Sequence, residues 1–239
     1  MKYVLKITVG FLLTFSMLSN SYKNGNNITS SKGDVHHGII YYEDGRFAGW
    51  PANHGIWSWN NEILVGFVAA DHEEKSGHTY NQNTARDKYA RSEDGGQTWT
   101  IEDAYEKGQA GWRYNNQLPE DKVEQLVDLS TSINFKHSDL ALTFLRATNN
   151  IGPSHFYYSY DRGNTWDGPF SLPNLGTNGI ATRTDYIIDN EDELTAFFTV
   201  AKSNDREGRI LCARTTDGGL NWEKVSFVGP EPEGFDIMS

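Results

Sequence analysis

Three copies of one eight-residue pattern recur along the chain: Ser92-Glu-Asp94-Gly-Gly96-Gln-Thr98-Trp99, Ser159-Tyr-Asp161-Arg-Gly163-Asn-Thr165-Trp166 and Thr215-Thr-Asp217-Gly-Gly219-Leu-Asn221-Trp222. Their aspartates are 67 and 56 residues apart, close to the length of one four-stranded propeller blade with its loops. The pattern has a chemical logic. The Asp carboxylate can accept hydrogen bonds from backbone N–H groups just ahead of it and close a tight turn. The Gly two residues later can take the positive φ that such a turn demands. Thr then starts the next strand, and Trp is expected to be buried as an apolar wedge stacked on its own unit. Three such turns, each preceded by a strand-like run, predict an all-β chain built as a β-propeller of four-stranded blades.

These octapeptides resemble the Asp-box (BNR) repeats of the sialidase superfamily. The third copy departs from the pattern, with Thr215 for Ser and Asn221 for Thr. The resemblance implies that each box turns between the third and fourth strands of a blade, away from any catalytic centre. The box therefore reports fold, and propellers that carry it serve many functions.

Composition agrees with an all-β protein: 13% aromatic residues, 23 glycines and a single cysteine in 239 residues. The net charge of −11, with no Lys/Arg cluster to offset it, argues against nucleic-acid and anionic-membrane partners. Cys212 stands alone, so no intrachain disulfide forms, and it is expected in a strand. Residues 1–21 read as a secretory signal. Lys2 and Lys6 precede the apolar run Ile7 to Leu18, and Ser19-Asn-Ser21 offers a small-x-small cleavage site. That run of 12 residues is too short to span a bilayer, and no cysteine beside it offers a lipid anchor. Residues 22–35 are polar and Gly/Asn/Ser-rich, a flexible leader to a partial propeller over 36–239. The expected destination is the periplasm or the medium.

A hairpin precedes each box. The first joins Gly55–Trp59 to Ile63–Val68 across Asn60-Asn61-Glu62, and the second joins Ser132–Phe135 to Leu140–Leu145. The third joins Asp185–Ile188 to Leu194–Val200. A third strand leads into each box (Lys88–Arg91, His155–Tyr158, Arg209–Arg214). A fourth follows it (Trp99–Ile101, Trp166–Phe170, Trp222–Phe227). Three such blades cannot close a ring, and Glu233–Ser239 reads as the first strand of a fourth. The chain is therefore expected to be the N-terminal part of a longer, about six-bladed propeller.

Arg46-Phe-Ala-Gly-Trp-Pro-Ala52 falls where sialidases carry their first-blade Tyr/Phe-Arg-Ile-Pro motif, and the similarity continues to about residue 99. With Pro51-Ala52 on the family's proline, Gly49 stands where the resemblance calls for the first substrate-carboxylate arginine, and Arg46 lies three residues earlier. An arginine fork suits a sugar carboxylate because it binds both oxygens. The loop 70–87 is the richest in titratable side chains. The resemblance gives this loop an Asp acting as general acid/base, with Asp71 nearest and Glu73, Glu74 and Asp87 as alternatives. His72, His78 and Tyr80 form an equally suggestive set, since a neutral His can abstract a proton and a Tyr can donate one to a leaving oxygen. Ala181–Tyr186 reads as a channel-lining strand on which Arg183 and Asp185 share a face, as ligand contacts or as a structural pair. Trp50 and His54 lie on the corresponding strand of the first unit and are expected to reach the same pocket.

The candidate site is therefore Asp71, His72 and His78 for catalysis, with Arg46, Trp50, His54, Arg183 and Asp185 holding substrate. No cofactor is implied, and no His/Cys/Asp spacing indicates a metal. The expected partner is a glycan or polysaccharide. Three functions remain open: a sialidase-like glycoside hydrolase, a propeller lyase acting on uronic-acid polysaccharides, and a non-catalytic binding propeller. The acid/base-rich loop favours an enzyme, and the displaced arginine weighs against a strict sialidase.

Overall fold

The computed structural model describes residues 6–8, 37–109, 126–146, 154–231 and 233, which form antiparallel sheets and little helix. The readings of a signal, a leader and a fourth-unit strand fall almost wholly outside these residues. Within the first, Lys6–Thr8 (β1) forms a short ladder with His37–Ile39 (β2). Among the described residues no helix is long and apolar enough to cross a membrane.

The first sheet contains Arg46–Gly49 (β3), Ile56–Trp59 (β4), Glu62–Asp71 (β5), Arg86–Ser92 (β6) and Thr100–Asp103 (β7). Both β3 and β4 pair with β5, which pairs with β6, and β6 with β7. The second sheet is Ala141–Arg146 (β8), Ser154–Ser159 (β9) and Asp167–Leu172 (β10), in simple order. The third contains Ile180–Ala181 (β11), Tyr186–Ile188 (β12), Leu194–Ala201 (β13), Glu207–Thr215 (β14) and Glu223–Val228 (β15). Here β11 and β12 share β13, followed by β14 and β15. The sheet is all-antiparallel, and Cys212 lies within β14, as its apolar neighbours predict.

The three octapeptides fold alike. Asp94 Oδ1 accepts from the Thr98 backbone N–H at 2.9 Å, and Oδ2 accepts from the Thr98 hydroxyl at 2.6 Å. The same bonds recur from Thr165 to Asp161 and from Asn221 to Asp217, so the amide in the third copy replaces the hydroxyl. The Ser92, Ser159 and Thr215 hydroxyls each accept from the backbone N–H of Gly96, Gly163 and Gly219 respectively. These bonds hold the Asp94 carboxyl down at about 2, the Thr98 hydroxyl first among the causes. Because Thr is tied into the turn, each following strand starts two residues after it, at Thr100, Asp167 and Glu223.

Several expectations need correction. Ser132–Phe135 is not a strand: its backbone N–H groups at Ile133 and Phe135 reach Gly218 and Glu191 of the third sheet. The second sheet is instead extended by Val127, which bridges Phe170 in parallel at the other edge. The box tryptophans do not all stack on their own sheet. Trp166 is 6% exposed and lies flat on Tyr89 of the first sheet, with centroids 5.5 Å apart and planes 12° apart. Trp222 is half-buried against Phe144 and Phe156 of the second sheet as well as Phe198 of its own. Trp166 and Trp222 thus each cover a face of the preceding sheet, while Trp99 packs on its own sheet beside Ile63 and Val65.

Two apolar layers result. One, with Trp57, Leu64, Tyr89, Tyr157 and Trp166, joins the first two sheets. The other, with Phe135, Phe144, Phe156, Leu194 and Phe198, joins the second and third. Charge follows the first layer: Arg91 binds Glu102 through two nitrogens and Glu62 at 2.6 Å, and Glu62 also accepts from Arg162 of the second sheet.

Candidate functional site

Neither first strand is continuous. Gly49 pairs with Val68 and Ile56 with Val65, so residues 50–55 are extruded opposite only Gly66 and Phe67. In the third sheet Ala181 pairs with Thr199 and Tyr186 with Ala196, so residues 182–185 are extruded likewise. The expected alternation of Arg183 and Asp185 along one strand is therefore absent.

The first interruption is built by Trp50, whose φ of 57° and ψ of 46° are left-handed, followed by one helical turn over Pro51–His54 (α1). For a bulky residue that conformation costs roughly 1–2 kcal/mol, and surrounding contacts must hold it. They do. The Trp50 carbonyl faces His54 Nδ1 at 3.2 Å, and its ring meets His78 at 5.1 Å and Tyr80 at 5.0 Å. Gly66 leaves room for His54: a Cβ there would lie 2.5 Å from His54 Cβ. Gly55, at φ 106°, likewise leaves room for Thr184: a Cβ there would lie 2.8 Å from Thr184 Cγ2.

The two interruptions meet. Thr184 donates its backbone N–H to the Ala52 carbonyl at 3.3 Å and its hydroxyl to the Asn53 carbonyl at 3.1 Å. Thr143 of β8 donates to the His54 carbonyl at 2.8 Å and lies 3.1 Å from the Thr184 hydroxyl. All three sheets thus converge on α1. Beside this junction is an opening of about 440 Å³. One wall is Pro51, Ala52, Ile56 and Trp57; the other is Thr184, Asp185 and Tyr186. Trp57 Nε1 donates to the Tyr186 hydroxyl at 3.1 Å, and burial pushes that hydroxyl above the usual tyrosine range. Ile56 is 50% exposed and Asp185 is exposed, so an apolar surface and a carboxylate face solvent together.

The sequence candidates fall into separate groups. Asp71 ends β5 and forms an ion pair with Arg46. Burial works to lower the Arg46 guanidinium, but its bonds to Tyr41 and Asp71 prevail and raise it. His72 sits 3.7 Å from Glu74, and His78 is exposed against Trp50. His54 does not open onto the pocket: its Nε2 lies 3.1 Å from Asp87 Oδ1, with both side chains 2% exposed. A carbonyl only accepts, so Nδ1 carries the hydrogen of its contact with Trp50. Nearby, burial lifts the Tyr89 hydroxyl well above its usual range, against its bond to Gln109 and with help from Asp87. Arg183 is buried, with Nη1 donating to the Ala181 and Thr182 carbonyls. Of the expected substrate-binding residues only Asp185 lines the opening. Trp57, Thr184 and Tyr186 were not singled out, although Gly55 and Gly66 inside strand-like runs signalled a close backbone approach. Among the described residues no group of three His, Cys, Asp or Glu is placed to hold a metal ion.

No family model and no curated protein matches the chain. Among solved structures it is similar to a GH74 xyloglucanase from Xanthomonas campestris, at 15% identity and a TM-score of 0.37. The match covers 72% of this chain and 22% of that one, so this chain spans under a quarter of that enzyme's length, and a likeness this low carries no argument.

Proposed function

We propose that the chain is the blade-forming part of an exported, carbohydrate-active β-propeller that hydrolyses glycosidic bonds. Three sheets, each with an Asp-box turn between its last two strands, and wedges from the second and third boxes onto the preceding sheet support the blade reading. The observation that carries the function is the opening at α1, where an apolar wall from the first sheet faces an exposed carboxylate from the third. Its volume lies within the range of small-ligand sites, and an apolar face opposite a hydrogen-bond acceptor matches a sugar ring with its C–H faces and hydroxyls.

Hydrolysis needs two carboxyl groups, one to protonate the leaving oxygen and one to activate water or attack carbon. In this reading they come from the loop 70–87, Asp71 with Glu73 or Glu74 of the same loop, while Asp185, roughly 20 Å away along β5, holds a neighbouring sugar unit at the opening. His72 and His78 would assist proton transfer, and Arg46 would orient Asp71 through their ion pair. Sialic acid is not favoured as the substrate, since among the described residues no guanidinium lines the opening.

The test is product analysis on a glycan panel with the intact protein. Asp71→Asn should lower kcat by about 10²–10⁴ with the fold intact, and Asp185→Asn should raise KM with kcat little changed. Unsaturated uronate products retained in Asp71→Asn would replace this reading with a lyase. Binding with no turnover on any glycan would leave a non-catalytic module.

A further inference from the structure

The charge around the opening decides which sugars it can hold. Among the described residues Asp185, which is exposed, is the one carboxylate in its lining, and no lysine or arginine joins it there. Arg183, the nearest guanidinium along the chain, is turned inward, its Nη1 engaged by the carbonyls of Ala181 and Thr182. Arg46 is engaged by Asp71. The chain as a whole carries a net charge of −11, so its long-range field adds to the local repulsion of anions.

We infer that this opening selects uncharged sugar units and rejects uronate or sialate units, an inference that rests on the carbohydrate reading above. Asp185 accepts hydrogen bonds from ring hydroxyls, and a carboxylate can only accept. The C–H face of the ring lies on Ile56, Pro51 and the edge of Trp57, where burial of apolar surface holds it. A ligand carboxylate brought within about 5 Å of Asp185 meets like charge. The penalty amounts to a few-fold in affinity in fully hydrated surroundings and more than a hundredfold as water is excluded. That repulsion is electrostatic, so salt weakens it.

Matched oligosaccharides probe this effect, because each uronate differs from its neutral partner at C6 alone, with a carboxylate in place of a hydroxymethyl. The Asp185 variants and the salt dependence separate charge from the lost hydroxyl donor. Oligomers of glucose and glucuronate, galactose and galacturonate, and mannose and mannuronate are titrated by calorimetry against the intact protein at low and at high salt. At least one neutral member should bind about tenfold or more tightly than its uronate partner, with the gap narrowing at high salt. Asp185→Asn should shrink the gap to a few-fold, and Asp185→Lys should reverse it. Circular dichroism checks that each variant folds, which an exposed position favours. Uronates binding as tightly as their neutral partners, or a gap indifferent to Asp185→Lys, would overturn the charge selection and leave the carbohydrate reading standing. If none of the six oligomers binds, both fail.

Discussion

Removing His54 or Asp87 tests how the first sheet holds α1 against the opening. The two side chains meet at 3.1 Å and are each 2% exposed. Loss of one member of a buried pair that includes a carboxyl costs about 3–5 kcal/mol, because the survivor stays desolvated without a partner. Asp87 Oδ2 already has no hydrogen-bond partner among the described residues, so His54→Ala strips the carboxyl of the bond it has. The same change releases the Trp50 carbonyl and empties the space above Gly66. His54→Ala is therefore expected at the upper end, about 4–5 kcal/mol. Asp87→Asn keeps the shape and can donate to Nε2 of a neutral ring, and should cost only about 1–2 kcal/mol. The combined His54→Ala, Asp87→Ala variant should cost no more than His54→Ala alone, because no unpaired buried charge remains. Urea unfolding at pH 7, followed by circular dichroism and extrapolated linearly, reads all three. A His54→Ala cost under about 1 kcal/mol, or a double variant that costs well beyond His54→Ala alone, would refute the coupled pair.

Trp166→Ala should destabilise by about 3–5 kcal/mol, whereas half-buried Trp99 and Trp222 should each cost roughly half as much, and equal losses at all three would contradict the wedge geometry. Burial lowers the His155 imidazole to about 4 from a usual value near 6.5, so the folded state binds fewer protons. Stability is then complete above about pH 6.5 and falls as pH drops toward 4, by up to about 3 kcal/mol. His155→Gln should flatten that part of the urea-midpoint profile, and an unchanged profile would show that the ring is not excluded from water.

The box turns, their glycines and most of the flanking strands were legible in the sequence because their bonds close within a few residues. Asp94 reaches Gln97 and Thr98, Ser92 reaches Gly96, and the same spacing serves wherever the pattern recurs. Strand pairs such as β4 with β5 are likewise set by a short polar turn. Everything that makes the candidate site depended on residues far apart in the chain. His54 finds Asp87 33 residues later, and Thr143 finds the His54 carbonyl 89 residues earlier. Alternation along Ala181–Tyr186 pointed Arg183 and Asp185 the same way, but contact with Ala52 and Asn53 extruded that segment, buried one and exposed the other. Ser132–Phe135 has the composition of a strand, yet its N–H groups pair with turns of the third sheet. Local hydrogen bonding is written in neighbouring residues; which face is covered, and which carboxylate is left to solvent, is decided only when the sheets pack.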